Sequence, residues 1–246
     1  MSHTEYIADT LEDAIHRIGP SNVVQVCTDN ASNYVKAGAI LMEKFENLYW
    51  TPCVAHCIDL ILEDIGKLPN FKKVIQQGRK ITTFIYGHSV LHCAFLNSSS
   101  NKELVRCGVT RFATSFLTLQ SIKQHKSALS SLNWIDWINV GSGEEVHRSI
   151  FSKEFWIGLD DCLKASQPLV VLLRMVDGDG DQCMAHIAHG FEKVNDAIDK
   201  HFASKPTLQK NLREIMNKRW IKHFKDKPIF GAGAFLNPKY YYSLKR

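Results

Sequence analysis

Long apolar runs are missing from this sequence, and so is the apolar segment that would open a signal peptide. No stretch of about 18 apolar residues occurs in the 246 residues, which argues against a membrane-spanning helix. The opening residues 1–5 are polar, which argues against secretion. Neither a Gly-rich phosphate loop nor a GxSxG string is present, so the sequence offers no nucleotide loop and no hydrolase elbow. We therefore expect a cytosolic or nuclear protein that has no membrane partner.

An even set of cysteines is also lacking. The seven cysteines lie at the scattered positions 27, 53, 57, 93, 107, 162 and 183. A secreted disulfide framework favours an even number in a shorter chain, so mostly reduced thiols are the better interpretation. The hydrophobic fraction of 45% and the charged fraction of 22% are those of an ordinary soluble globular protein.

Positive charge is modest overall, but it is concentrated in one segment. The formal net charge is +5, and residues 205–227 alone hold eight lysines and arginines against Glu214 and Asp226. A segment of this kind is compatible with a phosphate-binding surface and also with a solvated helix face. Composition leaves both interpretations open.

The first quarter of the chain alternates between helix and strand patterns. Apolar spacing and turn residues predict helix, strand, helix, strand and helix at residues 4–18, 22–27, 33–45, 48–53 and about 58–65. Alternation of this kind is typical of an α/β sheet. Pro52 places the second strand near an edge of that sheet.

Beyond residue 68 the pattern is almost wholly helical. Apolar residues recur every three or four positions in five stripes, within 71–85, 116–122, 155–163, 184–202 and 208–224. Such stripes are typical of helices that pack in a core. We therefore predict a mixed fold, α/β plus all-α and mostly helical overall. A small α/β part at 1–68 is followed by a helical part at 69–246.

Asp29 is the first candidate for chemistry. It follows a predicted strand directly and precedes a helix, which is where α/β folds place ligands and metals. Mg²⁺ binds at such places through one or two carboxylates together with water and phosphate. The alternative is that Asp29 simply caps the following helix.

Residues 177–181 alternate Asp and Gly like the opening of a calcium-binding loop. An EF-hand requires Gly at the sixth loop position and Glu at the twelfth. Those positions hold Gln182 and Ala188. The segment is therefore interpreted as an ordinary surface loop.

Cys53 and His56, taken together with His88 and His92, have the local spacing of zinc ligands. The stretch between the two pairs is far longer than the gap of a zinc finger, and it carries a helical pattern. A zinc site is therefore disfavoured. The alternative is that Cys53 and His56 are ordinary core residues.

Four strings, in the right order, resemble motifs of the hobo/Activator (hAT) transposases. Residues 28–33 resemble that family's T-D-N-A-x-N, and residues 53–60 resemble C-x-x-H-x-(L/I)-(N/D)-L. Residues 110–114 are similar to T-R-W-x-S, with Phe112 in place of Trp and Thr in place of Ser. Residues 233–240 are similar to (A/G)-x-x-L-N-P-x-Y. The strings span nearly the whole chain, and the plant-type branch, whose middle region is classed as a domain of unknown function, is the most similar.

The resemblance implies a ribonuclease-H-like core, partial at 1–68, followed by a helical insertion domain at 69–246 that ends near its return to the core. In that family two Asp and a distant Glu hold two divalent ions, Mg²⁺ or Mn²⁺, for DNA cleavage and strand transfer. Asp29 matches the second Asp, and it would bind magnesium only in a complete triad. No residue here matches the first Asp or the Glu. We therefore expect a chain truncated at both ends, with no cofactor and no catalysis of its own.

The resemblance also implies roles for residues outside the acidic triad. Cys53 and His56 match the C-x-x-H motif, which lies near the active site and is tied to strand transfer. Arg111 and Phe112 match the T-R-W motif, whose aromatic ring is associated with an extruded base. The expected phosphate contacts of the basic segment are Lys210, Arg213, Lys218, Arg219 and Lys222.

Three functions are compatible with these features. The first is a truncated or domesticated transposase-derived protein that keeps DNA binding without catalysis, and the second is a fragment of an active transposase. The third is a protein-interaction module that uses the helical insertion and binds no nucleic acid. By the resemblance we expect DNA as a partner and the nucleus as the location. Homo-oligomers occur in the intact family, but its dimerisation segment is absent here.

Overall fold

The computed structural model describes residues 2–108, 112–178 and 184–238. It is 75% helical, with twelve α-helices and two short parallel strands in those residues. The predicted class, α/β plus all-α and mostly helical, is therefore confirmed.

The first helix, α1 (His3–Ile18), begins at a reciprocal cap and ends at a glycine. The hydroxyl of Ser2 accepts a hydrogen bond from the backbone N–H of Glu5 at 3.2 Å, and the carboxylate of Glu5 accepts one from the N–H of Ser2 at 2.7 Å. Gly19 then ends the helix with φ +95°, a conformation that favours glycine. The predicted helix over 4–18 is confirmed.

The two strands, β1 (Gln25–Thr28) and β2 (Tyr49–Pro52), form a two-stranded parallel sheet. The second strand is confirmed. The prediction of the first strand over 22–27 is wrong at its start, because a 3-10 turn occupies Pro20–Asn22. The ladder begins only at Val24, whose carbonyl accepts a hydrogen bond from the N–H of Tyr49 at 2.9 Å.

Two helices flank the sheet within the same part of the chain. Helix α2 (Ser32–Lys44) connects the strands, as a parallel pair requires, and α3 (Val54–Gly66) follows β2 directly. Both helices are confirmed. Helix α2 packs closely on β2 because Gly38 has no side chain: a Cβ there would lie 2.2 Å from the ring of Trp50. The buried apolar cluster of this region consists of Ile15, Leu41 and Leu48.

The rest of the described chain is helical, as predicted. The helices are α4 (Pro69–Gly87), α5 (Ser89–Ser98), α6 (Ala113–Gln124), α7 (Lys126–Ser131), α8 (Gly143–Phe151), α9 (Lys153–Asp177), α10 (Ala185–Phe202), α11 (Pro206–His223) and α12 (Pro228–Leu236). Each of the five predicted stripes includes a phenylalanine that is almost completely buried, namely Phe71, Phe116, Phe155, Phe202 and Phe224. No helix within the described ranges is both long and apolar enough to cross a membrane.

The chain divides into two compact units that alternate along the sequence. Unit 1 consists of Met1–Ile58, Leu172–Asn195 and Met216–Arg246, and unit 2 consists of Asp59–Val171 and Asp196–Ile215. Unit 1 contains both strands, and segments from late in the chain complete it. The domains expected at 1–68 and 69–246 stay a prediction. Their boundary was drawn from the sequence pattern and the family resemblance, whereas the two units are defined by compactness.

Candidate functional site

Polar side chains that the sequence singled out meet at one edge of the sheet in unit 1. Because β1 and β2 are parallel and Thr28 pairs with Pro52, Asp29 and Cys53 leave the strands at the same edge. The N–H of Cys53 donates to the carbonyl of Thr28 at 2.6 Å and extends the ladder by one residue. Helices α2 and α3 begin just beyond this edge, so the positive ends of their dipoles lie there. This strand-end edge is the usual ligand side of an α/β sheet.

Asp29 is exposed and organises the turn that leads into α2. Its Oδ1 accepts a hydrogen bond from the backbone N–H of Ala31 at 2.9 Å, which is the geometry of an Asx turn. The N-cap residue of α2 is Ala31, whose side chain makes no capping hydrogen bond. Asp29 therefore supports the start of the helix without being its N-cap.

The donors at the strand-end edge do not fit a magnesium centre. Mg²⁺ prefers hard oxygen ligands, whereas the residue that follows β2 beside Asp29 is Cys53, whose donor is a soft thiol. Over the parts of the chain that the structure describes, no group of three His, Cys, Asp or Glu side chains is placed to hold a metal ion. We therefore assign no step at this edge to a metal.

Cys53 lies at the first turn of α3, where its carbonyl accepts the N–H of Cys57 at 3.0 Å. The thiol of Cys27 donates a hydrogen bond to its sulfur, and the backbone N–H groups of His56 and Ala55 point at the same atom. The hydrogen bond from Cys27, the two N–H groups and the nearby imidazole lower the pKa of Cys53 to about 5, although burial opposes them. Cys27 keeps the shared proton, so the hydrogen bond to Cys53 and its own burial raise the pKa of Cys27.

A second polar contact lies beside the thiol pair. The amide of Asn30 donates to the sulfur of the fully buried Cys57 at 3.1 Å. Burial raises the pKa of Cys57 to about 11, although Arg219 and Lys222 favour its thiolate. The Oδ1 of Asn30 is buried without a hydrogen-bond partner in the structure. A buried acceptor in this state marks a position where a donor from a water or a ligand would be favourable.

The second half of α11 brings positive charge into unit 1. Lys218 and Lys222 are exposed and one turn apart on the helix, and Arg219 is half-buried. Burial, together with the charges of Lys222, Arg219 and His56, lowers the pKa of His223 to about 4. His223 is therefore neutral at pH 7, and its buried Nε2 has no partner among the described groups. His56 itself is exposed on α3.

The two remaining basic residues expected to contact phosphate lie in unit 2. Arg213 makes two hydrogen bonds to the carboxylate of Asp199, the first from Nε to Oδ1 at 2.8 Å. Lys210 lies 3.9 Å from the carboxylate of Glu214, one turn along the same helix. Both cations are thus balanced by acidic neighbours, whereas Lys218 and Lys222 have no salt bridge to any described residue.

The described part of the T-R-F string is packed in unit 2. Arg111 lies outside the described residues. The ring of Phe112 covers Gly66, where a Cβ would be 2.2 Å away, and contacts Phe116 at 5.9 Å between ring centroids. The carboxylate of Asp59 accepts the N–H groups of Phe112 and Ala113 at 3.2 and 2.9 Å, and so it caps α6. The stacking role of Phe112 stays a prediction.

Sequence reasoning missed four residues that structure this region. Asp59 was visible only as the (N/D) position of the C-x-x-H string, and its capping of α6 depends on a partner more than fifty residues away. Cys27 was visible only as one of seven scattered cysteines. Only the register of the two strands shows that Cys27 lies near Cys53. Asn30 was visible only as a member of the T-D-N-A-x-N string, and His223 carried no sequence signal beyond its polarity.

The comparisons with known proteins support the resemblance for the first third of the chain. Residues 1–81 match a family model described as a domain of unknown function (DUF659). This family is associated with hAT-type transposase-like proteins. The matched residues include Asp29, Cys53 and His56. No curated protein matches the chain. The similarity therefore supports a transposase-related origin for the segment that carries the strand-end edge.

Proposed function

We propose that this is an hAT-transposase-derived protein whose unit 1 binds the sugar-phosphate backbone of DNA at the strand-end edge. The observation that carries the proposal is the positive charge there: Arg219 and Lys222 on α11 act electrostatically on Cys57, and together with His56 they act on His223. The two helix N-termini add partial positive charge at the same edge. The charge and the helix ends support a phosphate ligand, and the family match supports a transposase-related origin. Such a partner favours the nucleus as the location.

The polar groups of the edge support the same conclusion. Asn30 and His223 each carry a buried polar atom that lacks a partner, and such atoms are rare in folded proteins. Neutral His223 is able to donate from one ring nitrogen, and exposed His56 provides a second imidazole. Phosphate oxygens accept hydrogen bonds from imidazole N–H groups of this kind, whereas the orphaned Oδ1 of Asn30 is an acceptor and pairs with a donor such as a bridging water.

The first experiment is the salt dependence of DNA binding, measured by fluorescence anisotropy with a labelled duplex of mixed sequence. Three phosphate contacts, from Lys218, Arg219 and Lys222, predict a slope of log K against log salt of about −2.7. Lys222→Ala is expected to reduce the magnitude of that slope by about 1. Lys72→Ala removes an exposed lysine of α4 in unit 2 and serves as the charge-matched control.

Two results would contradict the proposal. Absence of binding at about 50 mM salt, where phosphate contacts are strong, would leave the protein-interaction module as the better function. An equal loss of affinity in Lys72→Ala and Lys222→Ala would show a general charge effect and no localised surface.

The second experiment tests metal-dependent cleavage. A single carboxylate and a thiol do not neutralise two magnesium ions, so we expect no nicking of supercoiled DNA by this chain in Mg²⁺ or Mn²⁺. Asp29→Ala is expected to behave like the parent chain in the same agarose-gel assay. Metal-stimulated nicking that disappears in Asp29→Ala would show that this chain is catalytic.

A further inference from the structure

The register of the sheet brings two thiols together on one face. Cys27 pairs with Thr51, and Cys53 lies two residues beyond Thr51 along the chain. Side chains two residues apart in extended backbone lie on the same side, so Cys27 and Cys53 share a face of the sheet. The two thiols also influence each other's ionisation, because their interaction lowers the pKa of Cys53 and raises that of Cys27.

Both thiols are open to a small solute. Cys27 is exposed and Cys53 is half-buried, and both line a pocket of about 230 Å³ in unit 1. The pocket walls are mainly apolar and include Val54, Met184 and Phe230. Cys57 and Cys162, in contrast, are completely buried.

The surroundings make the two sulfur atoms chemically unequal. Cys53 receives the hydrogen bond from Cys27 and two backbone N–H groups from the first turn of α3, so it carries thiolate character. Cys27 remains a thiol that faces it. A thiolate is the form of cysteine that reacts with peroxides, and an adjacent thiol resolves the product.

We propose that Cys27 and Cys53 form a peroxide-responsive dithiol, with Cys53 as the oxidised residue and Cys27 as the resolving residue. In the first step the Cys53 thiolate attacks hydrogen peroxide. The O–O bond breaks, Cys53 becomes a sulfenic acid, and the leaving hydroxide takes a proton to form water. In the second step the Cys27 sulfur attacks the sulfenic sulfur. An S–S bond forms, the S–O bond breaks, and a second water leaves with the thiol proton. Two thiols are oxidised by two electrons, and one peroxide is reduced to two waters.

The position of each cysteine determines which disulfide forms. The link joins the end of β1 to the first residue after β2, so it cross-links the two strands at the strand-end edge. Cys57 does not compete, because its sulfur is completely buried and accepts a hydrogen bond from Asn30. Cys107 lies in unit 2, where its thiol contacts the hydroxyl of Ser115 at 3.2 Å.

The test is peptide mapping by mass spectrometry after brief exposure of the whole chain to a stoichiometric amount of hydrogen peroxide. We expect one new species, a peptide pair linked through Cys27 and Cys53 with the loss of two hydrogens, which dithiothreitol reverses. Cys27→Ser should abolish the link and leave Cys53 as a sulfenic acid that dimedone traps. Cys107→Ser is the matched control and should leave the link intact.

A second readout does not depend on any substitution. Iodoacetamide should alkylate Cys53 at pH 6 about tenfold faster than an unstructured cysteine peptide, because a larger thiolate fraction outweighs its lower intrinsic nucleophilicity. The proposal is overturned if the parent chain forms no linked pair, if the link joins Cys53 to Cys57, or if Cys53 reacts no faster than the peptide.

Discussion

The strand-end edge of unit 1 and the helical unit 2 differ in whether their polar groups have partners. In unit 2 the cations meet acids, as Arg213 meets Asp199 and Lys205 meets Asp161, and the carboxylate of Asp59 caps α6. At the strand-end edge, Asn30 and His223 carry buried polar atoms without partners. Because an unsatisfied buried polar atom costs about 1–3 kcal/mol, unit 1 is less stable than its packing would allow at that edge. Unsatisfied groups are typical of binding sites, and satisfied ones are typical of scaffolds.

The largest expected effect is the pH dependence of the unfolding free energy that comes from the ionisation of His223. Its pKa is about 4 in the folded state, below the ordinary value of about 6.5 in the unfolded chain. The unfolded state therefore binds the proton more tightly, and the contribution to stability is present above pH 6.5. It is lost as the pH falls from about 6.5 to about 4, and the loss amounts to as much as about 3 kcal/mol.

Urea unfolding at several pH values between 7 and 4 measures this loss. His223→Gln removes the ionisation and should flatten the curve of unfolding free energy against pH across that window. Curves that run parallel for the parent and the variant would show that burial of His223 is not coupled to stability.

The second test concerns the contact between α2 and β2. Gly38→Ala should destabilise unit 1 by about 2 kcal/mol, because the added methyl group overlaps the ring of Trp50. Gly231→Ala in α12 is the matched control, since nothing lies within 4 Å of its Cβ and alanine favours a helix. Denaturant unfolding measures both. Similar midpoints in the two variants would mean that Trp50 moves aside freely.

The third test removes a satisfied polar contact of unit 2. Asp59→Ala should lower the free energy of unfolding by about 1–2 kcal/mol, because two N–H groups at the start of α6 lose their acceptor. Glu63→Ala, which removes only an exposed pair with Lys67, should cost less than about 0.5 kcal/mol. Thermal or urea unfolding that gives equal losses would contradict the capping role.

The smallest expected effect belongs to Arg213. Arg213→Ala breaks a partly exposed ion pair with Asp199, so its cost to stability should stay below about 1 kcal/mol. Its DNA affinity should also fall less than that of Lys222→Ala, because the guanidinium is already occupied by a carboxylate. Anisotropy titrations that rank Arg213→Ala as the weaker binder would show that the ion pair opens for phosphate.

Much of the fold was predictable because it depends on local pattern. The helix at 4–18, its stop at Gly19 and the apolar stripes with Phe71 and Phe202 each follow from spacing along the chain. The start of β1 was mispredicted for a local reason as well. Residues 20–22 are followed by β-branched valines, which favour extended backbone. The turn at Pro20, however, engages the backbone groups that would otherwise begin the ladder.

The candidate site was predictable only in part. Asp29, Cys53 and His56 were found from the resemblance, and the family match covers them. The thiol pair needed the strand register, and the charge at the edge needed the return of α11 to unit 1. The sequence alone provided no reason to separate the five basic residues expected to contact phosphate. Contacts with Asp199 and Glu214 distinguish Arg213 and Lys210 from Lys218 and Lys222, which have no salt bridge to any described residue.

The sequence by itself determined the helices, the two short strands and the place of a polar edge after them, because hydrogen bonding and apolar spacing act over a few residues. Only the tertiary structure decided that Cys27 meets Cys53, that His223 is buried beside positive charge, and that Asp59 holds the start of α6. These pairings join residues that are far apart in the chain. Their energies depend on burial and distance, which exist only after the chain has folded.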